Sequence, residues 1–327
     1  MIRSLDEFLH GKQHIGITGH VKPDGDCVGS TLGLLNYIRE QYPGAVSEVY
    51  LEFVPEVFRF MKYADEVKTD YPKAEAFDLF IVLDCGSKSR IGDAAPYFDA
   101  AHHTLCIDHH VSNTGFADEN HVFPDASSTA ELVYELLDPE KVSKNVAECL
   151  YTGIVHDTGV FQYSCTKRRT MEIAGILMEK GISYPRIISD TYFRKTYAEN
   201  RLLGVALKKS RLHLGGAVIS AILEEEDYAS VGATGKDTEG IVAQLRNTKG
   251  TESAILIYKN LGTDTYKLSL RSTECVDCAQ ITAHYGGGGH VRAAGATITK
   301  DPNEVLTEIL SLMERYLGYF EGENLGE

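Results

Sequence analysis

The first half of the chain alternates short apolar runs with longer segments whose apolar residues recur every three to four positions. Short apolar runs indicate buried strands, and the 3.6-residue period indicates helices packed on them. This alternation predicts an α/β fold, with a mostly parallel sheet flanked by helices. The predicted strands are 14–19, 46–53, 77–84 and 104–108, and the predicted helices are 28–40, 128–137, 143–155, 170–180 and 183–191.

The pattern changes after residue 193. A charged helix is predicted over 194–210, and it suits a connector between two domains. We therefore expect a first domain over 1–193, a connector helix over 194–211 and a smaller α+β domain over 212–327. The later part of the chain predicts strands at 216–223, 253–259 and 265–271, and helices at 239–246, 278–285 and 303–316.

Polar residues follow the ends of several predicted strands, the edge at which parallel sheets bind their ligands. The first cluster places His20, Asp24 and Asp26 on a loop with Pro23 and Gly25. Two carboxylates and an imidazole near one point are suited to Mn²⁺, Mg²⁺ or iron. The same residue types are also common in a turn that caps a helix, so this cluster alone favours neither interpretation.

Three more clusters of acids and histidines follow along the chain. Asp84 ends the apolar run 77–84, the Asp-His-His sequence 108–110 ends the next run, and Asp157 follows a predicted helix. Any one of these residues could be structural, but four clusters at successive element ends favour a shared site.

The candidate ligands match the needs of two divalent ions. Two divalent ions carry four positive charges, and a two-metal hydrolase holds them with carboxylates, one of which bridges the ions. Imidazoles add neutral ligands. The carboxylates are those of Asp24, Asp26, Asp84 and Asp157, and the imidazoles are those of His20 and His109.

A glycine-rich segment lies near the end of the chain. Glycines let backbone N–H groups approach an anion closely. The Lys-Ser/Thr pair of a P-loop is missing, and a flexible turn entering a helix is the structural alternative. The basic residues around the glycines favour a phosphate or carboxylate clamp. The candidate residues are Gly287, Gly288, Gly289, His290 and Arg292, with Arg271 at the end of a predicted strand.

The 327 residues carry a formal net charge of −15, from 32 basic and 47 acidic residues. A protein that binds long nucleic acid needs a basic stripe, so this class is excluded, whereas a short nucleotide substrate is not. Residues 195–327 hold 14 basic and 18 acidic residues, a net charge of −4, which leaves −11 for residues 1–194. The acidity therefore lies mainly where the metal ligands are expected.

We expect a cytoplasmic protein that does not associate with a membrane. No run of about 18 apolar residues is present, and the acids Asp6 and Glu7 stand where a signal peptide would be apolar. The seven cysteines are an odd number, which favours reduced thiols. Cys275 and Cys278 lack the second ligand pair of a zinc site, so we interpret them as packing residues.

These motifs resemble those of a known family, the DHH phosphoesterases. The resemblance lies in His20-x-x-x-Asp24-x-Asp26, in Asp84 after its strand, in 108–110 and in Asp157-Thr158-Gly159. The glycine-rich segment, with Ala293-Ala294-Gly295, resembles the motif of the associated DHHA1 domain. Length and domain content are most similar to the nanoRNase/pAp phosphatase branch. The resemblance implies a DHH domain, then a DHHA1 domain, with the active site in the cleft between them.

The resemblance also implies roles for individual residues. It implies two divalent ions, Mn²⁺ first and Mg²⁺ or Fe²⁺ as alternatives, with Asp84 bridging them. His20 and Asp24 would bind one ion, and Asp26, His109 and Asp157 the other. Asp108 would orient His109, and His110 would face the substrate phosphate. Arg90 would be a further substrate contact, beside the DHHA1 residues named above. His156, Gln162 and Val291 depart from the family pattern, which weakens any inference about the preferred ester.

The resulting expectation is a hydrolase that cleaves short oligoribonucleotides and linear dinucleotides to nucleoside monophosphates and dephosphorylates pAp to AMP. A cyclic-dinucleotide phosphodiesterase acting on c-di-AMP is the alternative, and a nucleotide-sensing binding protein is the alternative outside the enzymes. A sensor need not keep four carboxylates around an activated water, which argues against the hypothesis of a nucleotide-sensing binding protein. The oligomeric state stays open, with a homodimer as one option.

Overall fold

The computed structural model describes residues 4–72 and 76–323, with side chains through residue 318. The chain divides into two compact units, Met1–Arg194 and Lys195–Glu327. The strands of the first unit are β1 His14–Thr18, β2 Val46–Tyr50, β3 Leu79–Leu83, β4 Thr104–Asp108 and β5 Glu119–Val122. Its helices are α1 Asp6–Leu9, α2 Gly25–Gln41, α3 Ala95–Ala100, α4 Thr129–Leu136, α5 Lys144–Asp157, α6 Arg168–Glu179 and α7 Tyr184–Ile188.

The five strands of the first unit form one parallel sheet in the order β2-β1-β3-β4-β5. The central strand β3 is buried along its whole length, as its unbroken apolar sequence requires. Leu79, Ile81 and Leu83 belong to the main core, while Phe80 and Val82 belong to an aromatic cluster. Since successive side chains of a strand point to opposite faces, both faces of the sheet are covered.

The predicted fold class is confirmed, and the parallel arrangement brings the carboxyl ends of β1, β3 and β4 to one edge. Strand β5 was not predicted because its sequence Glu-Asn-His-Val has no apolar run. The unit also contains a π-helix at Ser189–Phe193 and short 3₁₀ segments at Glu56–Phe58, Ala64–Glu66, Lys88–Ala94 and Pro139–Lys141.

The second unit has a mixed six-stranded sheet. Its strand order is β10-β11-β9-β8-β7-β6, in which only the pair β7 and β8 is parallel. The strands are β6 Arg211–His213, β7 Val218–Leu223, β8 Ser253–Lys259, β9 Tyr266–Ser272, β10 Gly288–His290 and β11 Ala293–Ile298. The helices are α8 Tyr197–Lys209, α9 Glu225–Val231, α10 Ile241–Arg246, α11 Cys278–Ala283 and α12 Pro302–Glu323. Two more 3₁₀ segments cover Leu214–Gly216 and Gly235–Thr238.

Two separate cores cover the two faces of this sheet. One packs β7 to β9 and β11 against α11 and α12, and the other packs β7 and β8 against α8, α9 and α10. Leu202 and Ala206 of α8 are fully buried in the second of these cores. The helix expected as a connector therefore contributes to the packing of the second unit. Among the helices of the described residues, none is long and apolar enough to cross a membrane.

Candidate metal centre

The candidate ligands of the first unit meet at the carboxyl edge of its parallel sheet. His20 follows β1, Asp84 follows β3, and His109 follows β4. Asp26 lies in the first turn of α2. Asp157 is the last residue of α5, which packs against α2 over most of its length. Elements that are far apart in sequence therefore place their acids and imidazoles at one point.

The ring of His20 is oriented by a backbone hydrogen bond. Its Nδ1 donates to the carbonyl oxygen of Val21 at 2.8 Å, which leaves Nε2 as the atom that faces the acids. Nε2 lies 3.5 Å from Oδ2 of Asp24 and 3.4 Å from Oδ2 of Asp84. Burial lowers the pKa of His20, but hydrogen bonds to Asp24 and Asp84 outweigh it and raise the pKa to about 10. The imidazole therefore lies in a strongly anionic environment.

Asp24 caps the helix that carries Asp26. Its Oδ1 accepts the backbone N–H groups of Asp26 and Cys27, both at 3.1 Å, as an N-cap residue does. The turn-and-cap interpretation of this segment was therefore correct for one oxygen. The other oxygen stays on the side of His20. Burial raises the pKa of Asp24, yet the bond to His20 prevails and the pKa falls to about 2.

Asp84 stands between the two histidines. Its Oδ2 lies 3.4 Å from Nε2 of His20, and its Oδ1 lies 3.6 Å from Nε2 of His109. Its backbone has φ of +55°, a conformation that costs energy in residues other than glycine and that occurs often at functional sites. The hydroxyl of Thr129 donates to its Oδ1 at 3.2 Å. Each oxygen of this carboxylate therefore faces a different candidate ligand.

Asp26 is fully buried and is bound to the start of α4. It accepts the backbone N–H groups of Thr129 at 2.6 Å and Ala130 at 2.9 Å. Burial raises the pKa of Asp26 well above its ordinary value, and the nearby carboxylates of Asp84 and Asp157 raise it further. These neighbouring carboxylates repel one another, and a bound cation would offset that repulsion.

His109 and Asp157 form the closest acid–imidazole pair among the candidate ligands, with Nε2 and Oδ2 separated by 3.0 Å. Burial raises the pKa of Asp157, and His109 only partly opposes this, so the pKa reaches about 6. Burial lowers the pKa of His109, but Asp157 and Asp26 raise it to about 10. The unusual neighbour His156 is directed away from this pair and bonds Thr191 at 2.9 Å.

Asp108 contacts a different histidine from the one expected. We expected it to orient His109, but its Oδ1 accepts a 2.7 Å hydrogen bond from Nδ1 of His110. Its Oδ2 accepts a 2.7 Å bond from the amide of Asn113. These bonds outweigh the effect of burial and lower the pKa of Asp108. The expected contact was wrong because successive residues of an extended chain point to opposite sides, which places His110, and not His109, on the same side as Asp108, the last residue of β4.

The donor atoms fit hard divalent cations. One group joins Asp26, His109 and Asp157, and its ligand atoms lie within 4.8 Å of one another. A second group joins His20 and Asp84 with Cys27. Burial raises the pKa of the Cys27 thiol, which stays protonated, so the oxygens of Asp24 and Asp84 are the better donors beside His20. Two neighbouring sets of oxygen and nitrogen ligands result, and Asp84 adjoins both.

Sequence reasoning missed three residues that support these ligands. Thr129 binds Asp26 and Asp84, Asn113 binds Asp108, and the thiol of Cys27 lies beside His20. The only signal for Thr129 was its place at the start of a predicted helix that also carries a capping serine. Ser128 accepts the N–H of Glu131 and so fixes where α4 begins. Arg90, expected as a substrate contact, is joined to the residue after His20 by its backbone: its carbonyl oxygen accepts the N–H of Val21 at 2.9 Å.

The glycine-rich segment of the second unit forms an edge strand rather than a turn into a helix. Gly288, Gly289 and His290 pair with Gly295, Ala294 and Ala293 of β11. Gly289 has φ of +146°, and a Cβ on Gly287 would lie 2.3 Å from the carbonyl oxygen of Gly295. Side chains at these two positions would thus separate the strands.

The basic residues of the motif surround this hairpin. Arg292 lies in its turn and donates from Nη1 to the carbonyl oxygen of Val276 at 3.1 Å. Ala293 of β11 pairs with both His290 of β10 and Arg271 of β9, so Arg271 lies two strands from His290 with β11 between them. The structure therefore places His290, Arg292 and Arg271 at one end of the sheet, together with the glycines.

Comparison with known proteins identifies both units. Residues 14–154 match the N-terminal domain of the DHH family, and residues 215–318 match the DHHA1 domain. A bifunctional oligoribonuclease and PAP phosphatase NrnA of Thermus thermophilus is 31% identical, over 87% of this chain and 84% of its own. A cyclic-di-AMP phosphodiesterase PdeA of Listeria monocytogenes is 26% identical, over 96% of this chain and 49% of its own.

A solved structure agrees with these matches. The crystal structure of an exopolyphosphatase-related protein from Bacteroides fragilis superposes with a TM-score of 0.88 at 25% identity, covering 97% of this chain and 96% of that chain. The predicted family resemblance is confirmed in both domains. This chain therefore belongs to the DHH family, in which a DHHA1 domain follows the DHH domain, and it is a phosphoesterase that depends on divalent metal ions.

Proposed function

We propose that this protein hydrolyses short oligoribonucleotides and linear dinucleotides to nucleoside monophosphates and dephosphorylates pAp to AMP. The observation that carries the proposal is the position of Asp84, one oxygen of which lies near His20 and the other near His109. This is the arrangement expected of a carboxylate between two cations. The similarity to the oligoribonuclease and PAP phosphatase of Thermus thermophilus supports the choice of substrate.

The proposed metal is Mn²⁺. His20 and Asp24 would hold one ion, Asp26, His109 and Asp157 would hold the other, and Asp84 would contact both. When bound, the ions supply a lowered pKa for the attacking water and positive charge for the phosphate oxygens. The backbone N–H groups of Thr129 and Ala130 keep Asp26 oriented for this role. The hydroxyl of Thr129 does the same for Asp84.

We assign proton transfer to His110. The Asp108 carboxylate accepts from Nδ1 of His110, which fixes the orientation of the ring and leaves Nε2 to act on the substrate. Asn113 keeps Asp108 in place from the other side. His110 would then donate a proton to the leaving oxygen of the ester, while Asp108 offsets the positive charge of the ring.

The second unit would bind the terminal phosphate or the nucleotide of the substrate. Arg292 offers a guanidinium that can form paired hydrogen bonds with a phosphate, and His290 is exposed beside it. Gly287, Gly288 and Gly289 contribute backbone groups that side chains would otherwise cover. Recognition of one or two phosphates also explains how a protein of net charge −15 handles RNA fragments.

Cleavage of a cyclic dinucleotide is the second candidate. It is favoured by the match to the Listeria monocytogenes cyclic-di-AMP phosphodiesterase, which extends over nearly all of this chain. That relative is about twice as long as the matched region, since the match covers 49% of it.

A substrate panel with Mn²⁺ tests the proposal and ranks the candidates. The panel contains pAp, pApA, pGpG, five-residue RNA, c-di-AMP and pyrophosphate, and the readout is kcat/KM from product analysis. We expect pApA, pGpG and pAp to exceed c-di-AMP by at least about tenfold. A higher kcat/KM for c-di-AMP would favour the second candidate, and hydrolysis of pyrophosphate alone would contradict both.

A further inference from the structure

A cavity of about 200 Å³ lies beside His20 in the first unit. Its walls are the ends of β1 and β2, the ring of Tyr71 and residues 91–93 of a 3₁₀ segment. Sites for drug-sized ligands usually measure about 300–1,000 Å³, so this cavity suits one nucleoside portion rather than a whole dinucleotide. Because His20 forms part of its wall, the cavity adjoins the candidate metal centre.

The loop between His20 and Asp24 is fixed against this cavity. Lys22, which lines it, has φ of +56°, a rare conformation for a residue with a side chain. Its backbone N–H donates to Oε2 of Glu52 at 2.8 Å, which keeps the strained residue in place. Strain of this kind persists where surrounding contacts enforce it, and it occurs often at ligand-binding sites.

The side chains around the cavity are acidic and aromatic. Glu52 and Asp93 are exposed, and neither forms an ion pair among the residues that the structure describes. Burial raises the pKa of Tyr71, and the carboxylates of Asp93 and Glu52 raise it further, so its hydroxyl lies near both acids. The Tyr71 ring is half-buried against Tyr50 and Tyr97, with centroids 6.1 and 6.3 Å away.

These groups select the neutral part of a nucleotide. Two carboxylates repel a further phosphate but accept hydrogen bonds from sugar hydroxyls, and an acid at a strand end is a common partner of a ribose hydroxyl. The ring of Tyr71 offers a face on which a base can stack. Lys22 is the one lysine or arginine among the described residues that line the cavity, and it can offset the charge of a phosphate that enters from the metal centre.

We propose that this cavity binds the 3′-terminal ribonucleoside of a short RNA, with Glu52 and Asp93 accepting hydrogen bonds from its free 2′- and 3′-hydroxyls. This inference rests on the proposed function. In pApA, the first nucleoside carries the 5′-phosphate, whereas the second ends in a free diol and is the one that an acidic cavity accepts. The substrate pAp has no second nucleoside, so the cavity contributes to cleavage of pApA and not to cleavage of pAp.

The test compares substrates within each variant, using the full chain with Mn²⁺. Glu52→Gln keeps an oxygen that accepts the N–H of Lys22 but removes the charge, and Asp93→Asn changes an exposed residue. Both should lower the ratio of kcat/KM for pApA to kcat/KM for pAp by about tenfold, the usual effect of losing a hydrogen bond to a charged group. Glu119→Gln, on the opposite edge strand β5, is the charge-matched control and should not change the ratio.

Analogues of pApA provide a second measurement. The wild type should prefer pApA by about tenfold over the analogue whose second sugar lacks both hydroxyls, and Glu52→Gln should reduce this preference. A 3′-phosphate on the second nucleoside should lower kcat/KM because it meets the two acids. If the variants leave the ratio of kcat/KM for pApA to kcat/KM for pAp unchanged, whether or not both values fall, the inference is overturned while the proposed function stays intact. A wild type that hydrolyses neither substrate would overturn both.

Discussion

The carboxylate of Asp108 holds His110 through a 2.7 Å hydrogen bond to Nδ1. The adjacent His109 lies instead against Asp157, with its Nε2 3.0 Å from Oδ2. The two histidines share Asp84, whose Oδ1 lies 3.6 Å from Nε2 of His109 and from Nδ1 of His110, but each has a different acid as its closest partner. This division separates a candidate metal ligand from a candidate proton donor.

Asp108→Asn should lower kcat for pApA by about 100-fold or more with little change in the affinity for Mn²⁺. The expected loss follows because the carboxylate orients His110 for proton transfer, and acid–base catalysis contributes about 10²–10⁴-fold. Steady-state kinetics and a thermal titration with Mn²⁺ measure the two effects. Asp99→Asn, an exposed acid paired with Lys88, is the matched control. If Asp108 acted on a metal ligand instead, Mn²⁺ affinity would fall about 10–100-fold.

Asp84→Asn should abolish hydrolysis and weaken the binding of divalent cations. Asparagine tolerates the left-handed backbone of this position, which alanine would strain, so the substitution tests the carboxylate rather than the fold. We expect activity to fall by more than about 100-fold, because even outer partners of a metal site contribute 10–100-fold.

Metal removal gives a readout for Asp84→Asn that does not depend on activity. Mn²⁺ at 100 times its dissociation constant stabilises a folded protein by about 2.7 kcal/mol, so EDTA should lower the Tm of the wild type. The Asp84→Asn variant should show a much smaller difference between the two conditions. His290→Ala, in the second unit, should retain the full difference. An unchanged Mn²⁺ effect in Asp84→Asn would contradict the assignment of this residue.

The sequence allowed much of the first unit to be predicted because its strands are short apolar runs that end in acids. The runs Leu79–Leu83 and Thr104–Asp108 are fully buried, as such runs require, and the acids at their ends meet at one edge. The contacts of Thr129 with Asp26 and Asp84 could not be predicted in this way. They join residues 103 and 45 positions apart, and a single sequence holds no signal for that pairing.

The glycine-rich motif was harder to interpret. Glycine has a low intrinsic preference for strands, so no strand was predicted at Gly288 and Gly289, and a turn was the structural alternative to an anion clamp. Pairing with β11 decides the conformation instead, since the small residues Ala294 and Gly295 leave room for a close neighbouring strand. The role of His110 stays a prediction, whereas its contact with Asp108 follows from their spacing, since side chains two residues apart share one side of an extended chain.

Glu252→Gln should destabilise the protein in a manner that depends on pH. The Glu252 carboxylate accepts the N–H groups of Glu274, Cys275 and Val276 and the hydroxyl of Thr273, and these bonds fix the loop before α11. Burial raises the pKa of Glu252, but the bonds outweigh it and lower the pKa. A lowered folded-state pKa means that the stabilisation is present above the ordinary value of 4.5 and is lost as the pH falls through the folded-state value.

Urea unfolding checks this dependence. At pH 7 the variant should be less stable by about 1–3 kcal/mol, the usual effect of losing bonds to a charged acceptor. The difference should close as the pH falls below 4.5, where the wild-type carboxylate becomes protonated. Glu274→Gln, on the same loop and exposed, is the control and should show no such change. A difference that stays constant with pH would reject the role of the charge.

Arg292→Ala should raise KM for pApA by about tenfold or more while leaving hydrolysis of bis(p-nitrophenyl) phosphate unchanged. The small diester has no terminal phosphate or nucleotide for the second unit to bind, so its hydrolysis should not depend on Arg292. For pApA, the loss of a hydrogen bond to a charged group commonly lowers affinity by about tenfold or more. Arg292 is suited to this role because it is exposed, and its side chain donates a single hydrogen bond within the described residues, from Nη1 to the carbonyl oxygen of Val276. Arg315→Ala, an exposed arginine of α12, is the matched control. Equal losses on both substrates would show that Arg292 supports the fold or the chemistry and does not anchor the substrate.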